Sequence, residues 1–196
     1  MDKGTIRVYD SSAEHWAATR MRAERSVGQK QEASAFRTEV GAGLIVDLGC
    51  GPGRLREALG HPVISLDASL AMLCLVEARP HGRLVLGDLE ALPVADSVAR
   101  GVSGNLSYQR LPRPNFATAL AEAVRALEPG GLIQLAMHAG DFEGDDRADN
   151  DLPGRWFTFW RRDPLMAQLA NAGFDLIRYA EGPDTLRVTA RLTRRR

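Results

Sequence analysis

Along residues 44–192, short apolar runs alternate with longer stretches in which apolar residues recur at helical spacing. Leu44-Ile45-Val46-Asp47-Leu48 is a nearly continuous run, the pattern of a strand covered on both faces. Val63-Ile64-Ser65-Leu66, ending at Asp67, and Leu84-Val85-Leu86, ending at Gly87-Asp88, repeat it. Residues 101–106 form a weak fourth strand and residues 132–137 a fifth. Helices are expected over residues 54–59, 69–78, 116–127 and 165–172. Pro129-Gly130-Gly131 closes the third of these; Asp163-Pro164 opens the fourth and Gly173 ends it. Residues 174–179 and 185–192 read as a terminal hairpin. Strands that alternate with helices predict an α/β fold: a doubly wound, mostly parallel seven-stranded sheet, helices on both faces, and an antiparallel hairpin at the end.

The first 40 residues follow a different pattern. Residues 11–39 read as helix, with Ser11 or Ser12 able to cap it and Ser11 and Glu14 spaced as a capping box, but Trp16, Met21, Val27 and Phe36 are sparse apolar points in an Arg/Glu-rich stretch. Such a segment is expected on a surface, adding little to a core. Residues 1–40 are therefore read as an N-terminal helical lid and residues 41–196 as the main domain of a single-domain protein.

Composition narrows the classes. With 25 Lys+Arg and 25 Asp+Glu among 196 residues the net charge is zero, which argues against a general nucleic-acid binder. No apolar run approaches the ~20 residues of a membrane span, and the charged start lacks the apolar segment of a signal peptide. The two cysteines, Cys50 and Cys74, give neither a disulfide framework nor a zinc site, so a cytoplasmic setting is expected.

The chemistry lies at the carboxyl ends of the strands, where open α/β sheets bind ligands. Val46-Asp47-Leu48-Gly49-Cys50-Gly51-Pro52-Gly53 follows the first strand. Its alternate glycines let backbone turn sharply and approach a ligand; a tight strand–helix turn with no ligand is the alternative. The spacing is not G-x-G-x-x-G, and no Lys-Ser/Thr pair follows, which argues against a dinucleotide fingerprint and a P-loop. Asp67, at the end of the second strand, is placed to accept from both hydroxyls of a ribose; a helix-capping carboxylate is the alternative.

At this point the chain resembles the class I, Rossmann-like S-adenosylmethionine-dependent methyltransferases, in their small-molecule branch. Residues 47–53 are similar to the family's first motif. Leu66-Asp67-Ala68-Ser69-Leu70-Ala71-Met72-Leu73 resembles its segment after strand two, and Gly87-Asp88-Leu89-Glu90-Ala91-Leu92-Pro93 its segment after strand three. Glu128-Pro129-Gly130-Gly131 and Asn171-Ala172-Gly173-Phe174 resemble two later turns. The resemblance covers residues 44–178. It implies S-adenosylmethionine as cofactor and S-adenosylhomocysteine as product. It places the backbone of Gly49, Cys50 and Gly51 at the methionine end, Asp67 and Ala68 at the ribose, Met72 against adenine, Asp88 at the adenine amino group and the Leu89 amide at a ring nitrogen. Asp47 would orient the glycine loop. Tyr9, ahead of a lid helix, and Asn105, after strand four, would complete the cofactor site.

The implied reaction is methyl transfer by direct displacement to a small-molecule acceptor. His138, at the end of strand five, is the candidate base, against a merely polar pocket residue; His15 sits in the lid segment, and His61 and His81 lie at the wrong edge of the sheet. Relatives often carry acidic residues or a His-His pair after strand four, where this chain has Ser107-Tyr108-Gln109-Arg110. Residues 139–162 interrupt the domain with an acidic half, Asp141 to Asp151, read as a solvated mobile loop and not as a metal site, and an aromatic half, Arg155 to Arg162, read as lining an apolar acceptor pocket or packing on the core. No metal, membrane or nucleic-acid partner is expected, and the oligomeric state is open. Two alternatives stand beside the enzyme: a non-catalytic cofactor-binding or interaction protein on the same fold, and an RNA or protein methyltransferase.

Overall fold

The computed structural model describes residues 1–20, 27–76, 82–147 and 151–193. A seven-stranded sheet runs in the order β3-β2-β1-β4-β5-β9-β8. Its parallel part comprises β1 (Ile45–Leu48), β2 (Val63–Asp67), β3 (Arg83–Leu86), β4 (Ala99–Asn105) and β5 (Leu127–His138); β8 (Phe174–Glu181) and β9 (Thr185–Leu192) add the antiparallel edge. Strand order reverses between β1 and β4, so the crevice opens above their carboxyl ends, where Asp47 lies in register with Ser65 and Ser103. Helices α3 (Arg56–Leu59), α4 (Leu70–Cys74), α5 (Arg113–Ala126) and α6 (Arg162–Asn171) connect the strands. A small ladder, β6 (Glu143–Gly144) with β7 (Phe157–Thr158), stands apart. Among the described residues no helix is long and apolar enough to cross a membrane.

The strand expected to be weak is central. β4 carries few apolar residues because its glycines admit neighbours: a Cβ on Gly101 would lie 2.7 Å from Val40 Cγ2 and 3.2 Å from Phe36. β5 begins at Leu127, so Pro129-Gly130-Gly131, expected to close a helix, lies within the strand; the register with β4 shifts between Ala99 and Gly101 to accommodate it.

The N-terminal expectation needs two corrections. α1 runs Lys3–Arg20, starting well before Ser11, with non-helical backbone at Ser12. Ser11 Oγ donates to the Val8 carbonyl from within the helix rather than capping it. α2 (Val27–Val40) is not a surface lid: Ala33, Phe36 and Val40 are buried in a cluster with Ile45, Leu55, Leu59, Val63 and Leu132. Three apolar residues at i, i+3 and i+7 suffice because the opposing strand residues are all apolar. Met21, His81, Asp149, residues 77–78 and Arg194-Arg195-Arg196 lie outside the described residues.

Candidate active site

β1 delivers Asp47 and the glycine loop. Gly49, at φ +71, tolerates a backbone closed to side chains, and a Cβ there would lie 2.3 Å from Ser107 Cβ, so the loop abuts the turn after β4. The amides of Gly49 and Cys50 donate to the Leu66 carbonyl at 2.7 and 3.0 Å, and the Gly51 amide to Asp67 Oδ2 at 2.7 Å. The loop amides are thus engaged within the fold; close approach and carbonyl acceptors are what it offers a ligand. Asp67 Oδ1 accepts from the Ser69 amide at 2.9 Å, while the cap of α4 is Ser69 itself, accepting from the Met72 amide. Each Asp67 oxygen keeps a further lone pair.

A cavity of about 610 Å³ opens above these strand ends. Asp47, Gly49, Cys50, Gly51, Asp67 and Met72 line one side; Asn105, Gln109, Arg110, His138 and Phe157 line the other. α1 forms the roof with Tyr9 and Trp16, whose rings meet edge to face at 6.2 Å; Trp16 lies over Gly51. Asp10 Oδ1 ties that roof to α4, accepting from Ser69 Oγ at 2.6 Å and the Ala71 amide at 3.2 Å. On the other flank the Trp156 amide donates to Thr5 Oγ1 at 2.7 Å, and Asp151 bridges Arg20 and Arg155 at 2.5 and 2.6 Å.

Three expected cofactor residues lie outside the cavity lining: Ala68, Asp88 and Leu89. Leu89 is fully buried in the core, and the Asp88 carboxylate accepts from the Met1 amino group at 2.8 and 2.9 Å, an amine that also meets Glu90.

The charges divide along the cavity. Burial, reinforced by the nearby Asp67 charge, pushes the Asp47 carboxyl up to about 7, and its Oδ2 has no hydrogen-bond partner. Burial also raises Asp67 and drives the Cys50 thiol well above its usual range, so Cys50 remains a thiol and donates to the Gly51 carbonyl. On the far side, burial lowers the Arg110 guanidinium to about 10. His138 is held below its ordinary value by burial and by the charges of Arg110 and Arg147, against the opposing Asp184 carbonyl, which its Nδ1 reaches at 3.3 Å. A carbonyl only accepts, so Nδ1 carries the proton and the neutral ring presents Nε2 as an acceptor.

Sequence reasoning read Arg110 only as a departure from the usual pattern. The structure makes it a wall of the cavity: its guanidinium stacks on Phe157 at 3.7 Å, and Nη1 donates to the Trp156 carbonyl at 3.0 Å. Gln109, from the same stretch, lines the cavity as well, as do Arg20 and Arg54, which had not been singled out. The 139–162 segment divides. Phe157 lines the cavity, Phe159 packs at 4.9 Å on His138, and Trp160 enters the core 4.6 Å from Phe116. Of its acids, Asp141 pairs with Arg113 and Arg161 and Glu143 with Arg113, while Asp145 and Asp146 are exposed. His15 and His61 are exposed. Among the described residues no group of three or more His, Cys, Asp or Glu side chains is placed to hold a metal ion.

Comparison with known proteins places this geometry. Residues 45–131 match the methyltransferase domain family, a stretch running from β1 and its glycine loop to the start of β5. Over that stretch, under half of its length, the chain is similar to methyltransferase domains. It is 34% identical over 121 residues to trans-aconitate 2-methyltransferase of Azoarcus sp., covering 59% of this chain and 47% of that one. It is 29% identical over 174 residues to the malonyl-acyl-carrier-protein O-methyltransferase of Salmonella typhimurium, covering 72% and 68%. For the Pectobacterium atrosepticum protein of that name the figures are 38% over 102 residues, 48% and 38%. The chain spans about half the length of the curated relatives it matches. Among solved structures, the Burkholderia thailandensis 1,6-didemethyltoxoflavin-N1-methyltransferase, bound to its namesake compound and S-adenosylhomocysteine, superposes with TM-score 0.74 at 20% identity, covering 96% of this chain and 88% of that one. A cyclase, SpnF, shares the fold at TM-score 0.67 and 14% identity, covering 84% and 80%.

Proposed function

We propose that the chain transfers a methyl group from S-adenosylmethionine to a small-molecule acceptor. The observation that carries this is the roofed cavity above β1, β2, β4 and β5, in which the glycine loop, Asp67 and Met72 face Arg110 and His138. A cavity roofed by α1 and flanked by Arg147, Asp151, Arg155 and Phe157 suits a small acceptor. The residues present fit the cofactor: Asp47 holds a buried carboxylate oxygen with no partner, Asp67 retains acceptor capacity, and Met72 offers a soft apolar wall.

In this reading Asp67 and Ala68 hold the ribose, Met72 packs on the adenine, and Gly49, Cys50 and Gly51 meet the methionine end with Asp47 behind them. Tyr9 and Asn105 close the site. The adenine amino group competes with the Met1 amine for Asp88, beside the Leu89 amide. The bound cofactor supplies a methyl already activated on sulfonium, so the chain's part is chiefly to align acceptor and methyl, a contribution of up to ~7–11 kcal/mol. His138, displaced toward its neutral form and lining the cavity, can accept a proton where the acceptor must lose one. The test is incubation with methyl-labelled S-adenosylmethionine and fractionated small-molecule extracts, following label transfer and S-adenosylhomocysteine. Labelled product carries the reading; cofactor binding without turnover on any fraction would favour the non-catalytic alternative.

A further inference from the structure

The sheet face under α2 carries a second cavity, of about 280 Å³, that the proposed function does not use. Its floor is two neighbouring rows of side chains across β4, β5, β9 and β8. Strand register sets Ser103, Gln134, Thr189 and Arg178 side by side in one row, and Asn105, Ala136, Arg187 and Ala180 in the next. The row before them, Gly101 and Leu132, is covered by Phe36 and Val40 of α2. The earlier part of α2 forms a wall, through Gln29, Glu32 and Ala35, and the short side chains of Ala136 and Ala180 leave the space open. A polar row inside a sheet is costly unless its groups find partners, and Ser103 and Thr189 are only 2% and 3% exposed. Thr189 Oγ1 accepts from Arg178 Nη2 at 3.2 Å, so its own proton is left to donate. Gln29 Oε1 accepts from Arg54 Nη2 at 2.6 Å, which leaves Gln29 Nε2 as a donor. Arg187 Nε is buried without a hydrogen-bond partner: Glu32 Oε2 lies 2.9 Å away as an ion pair but is not aligned with the N–H. Glu32 is the one carboxylate among the described lining residues, against two guanidinium groups; Glu39 meets Arg178 at 2.7 Å from the exposed side. The chamber is therefore rich in donors and poor in acceptors.

We infer that this chamber is a second ligand site, for a compact oxyanion such as a phosphate or a carboxylate, and that the anion bound there strengthens cofactor binding. Two oxygens of one anion can meet the Arg187 Nε–Nη fork in parallel, which the misaligned Glu32 does not. The hydroxyls of Ser103 and Thr189 and the amides of Gln29 and Gln134 surround the rest. The coupling comes from shared walls: Gln29, Leu55 and Asn105 line both this chamber and the cofactor cavity. Gln29 holds Arg54, which lines the cofactor cavity just past the glycine loop. An anion that fixes the Gln29 amide also fixes Arg54 beside the cofactor, and such coupling is reciprocal. The anion is an effector and not the methyl acceptor: Arg178 and Arg187, which hold it, lie on β8 and β9 and do not line the cofactor cavity. The site itself goes beyond the proposed function; only its coupling to the cofactor rests on that reading.

The experiment is calorimetric titration of the intact protein, at fixed ionic strength, with inorganic phosphate, succinate and, as a neutral control, glycerol, each without and with saturating S-adenosylhomocysteine. At least one anion is expected to bind at millimolar concentration or below while glycerol does not; the two probes separate a phosphate site from a carboxylate site. The bound anion should tighten S-adenosylhomocysteine binding about fivefold, and S-adenosylhomocysteine the anion by the same factor. Arg187→Gln should weaken the anion about tenfold, the scale of a charge-assisted hydrogen bond. Ala180→Leu, at an exposed edge position, should block the chamber without removing a charge. Binding of neither anion, or binding that survives both substitutions, overturns the inference. So does competition between the anion and S-adenosylhomocysteine, which would put the anion in the cofactor cavity. An anion that binds the chamber but leaves cofactor affinity unchanged overturns the effector role. Failure of the unaltered protein to bind S-adenosylhomocysteine would instead sink the proposed function, while anion binding and its loss in Arg187→Gln are read without the cofactor.

Discussion

Two aspartates carry most of the cofactor half, and their environments make different predictions. Asp67 braces the glycine loop through the Gly51 amide while keeping lone pairs toward the cavity. Asp67→Ala is expected to weaken S-adenosylhomocysteine binding by about 1–3 kcal/mol, the scale of a lost buried partner; unchanged affinity by calorimetry would contradict the ribose assignment. Asp47 is a pH prediction. Its folded pKa is raised to about 7, above the unfolded value, so between roughly pH 4 and 7 the native state holds more protons than the unfolded one. The stabilisation present below that window is lost as pH rises through it, and Asp67, raised in the same direction, adds to the fall. Asp47→Asn should flatten the decline in urea midpoint between pH 5 and 7; an unaltered slope would show that Asp47 is ionised in the native state. Both aspartates could be found in the sequence because strand, glycine loop and acid are contiguous. Arg110 could not: its meaning comes from stacking on Phe157, a residue 47 positions away that arrives from an insertion, and no local pattern encodes that meeting.

At the scale of elements, the N-terminal segment splits into two parts with different work. α1 roofs the cavity and is held by polar contacts: Asp10 to α4, Thr5 to Trp156, Arg20 to Asp151. α2 is core, with Phe36 fully buried against β1 and β4. Removing residues 1–20 should leave the far-ultraviolet circular dichroism of the sheet domain intact while weakening cofactor binding. Phe36→Ala should cost about 3–5 kcal/mol of stability in denaturant titration, the usual price of an aromatic truncated in a packed core. A Phe36→Ala change below about 1 kcal/mol would return α2 to the surface role its sparse apolar residues suggested. The periodic signal of residues 11–39 misled because a helix lying on an already apolar sheet needs few apolar residues of its own. The opposite error occurred at β4, where glycines that make room for Phe36 and Val40 diluted the hydrophobic signal of a central strand.

Across the whole molecule, the mostly parallel sheet and its terminal hairpin follow from local pattern: β1, β2 and β3 end where a glycine or an acid had been noted, and the hairpin lies at the edge. The pattern supplied a lid and a candidate pocket lining but not their meeting: α1, Phe157 from the aromatic half of 139–162, and Arg110 are brought together only by tertiary contacts. The central claim is that this roofed cavity takes an S-adenosyl cofactor against the glycine loop and Asp67. It is tested most directly by calorimetric titration of the full chain with S-adenosylmethionine and S-adenosylhomocysteine. The account predicts one-to-one micromolar binding of both, weakened in Asp67→Ala. A folded protein that binds neither would contradict it and leave the loop after β1 a turn without a ligand.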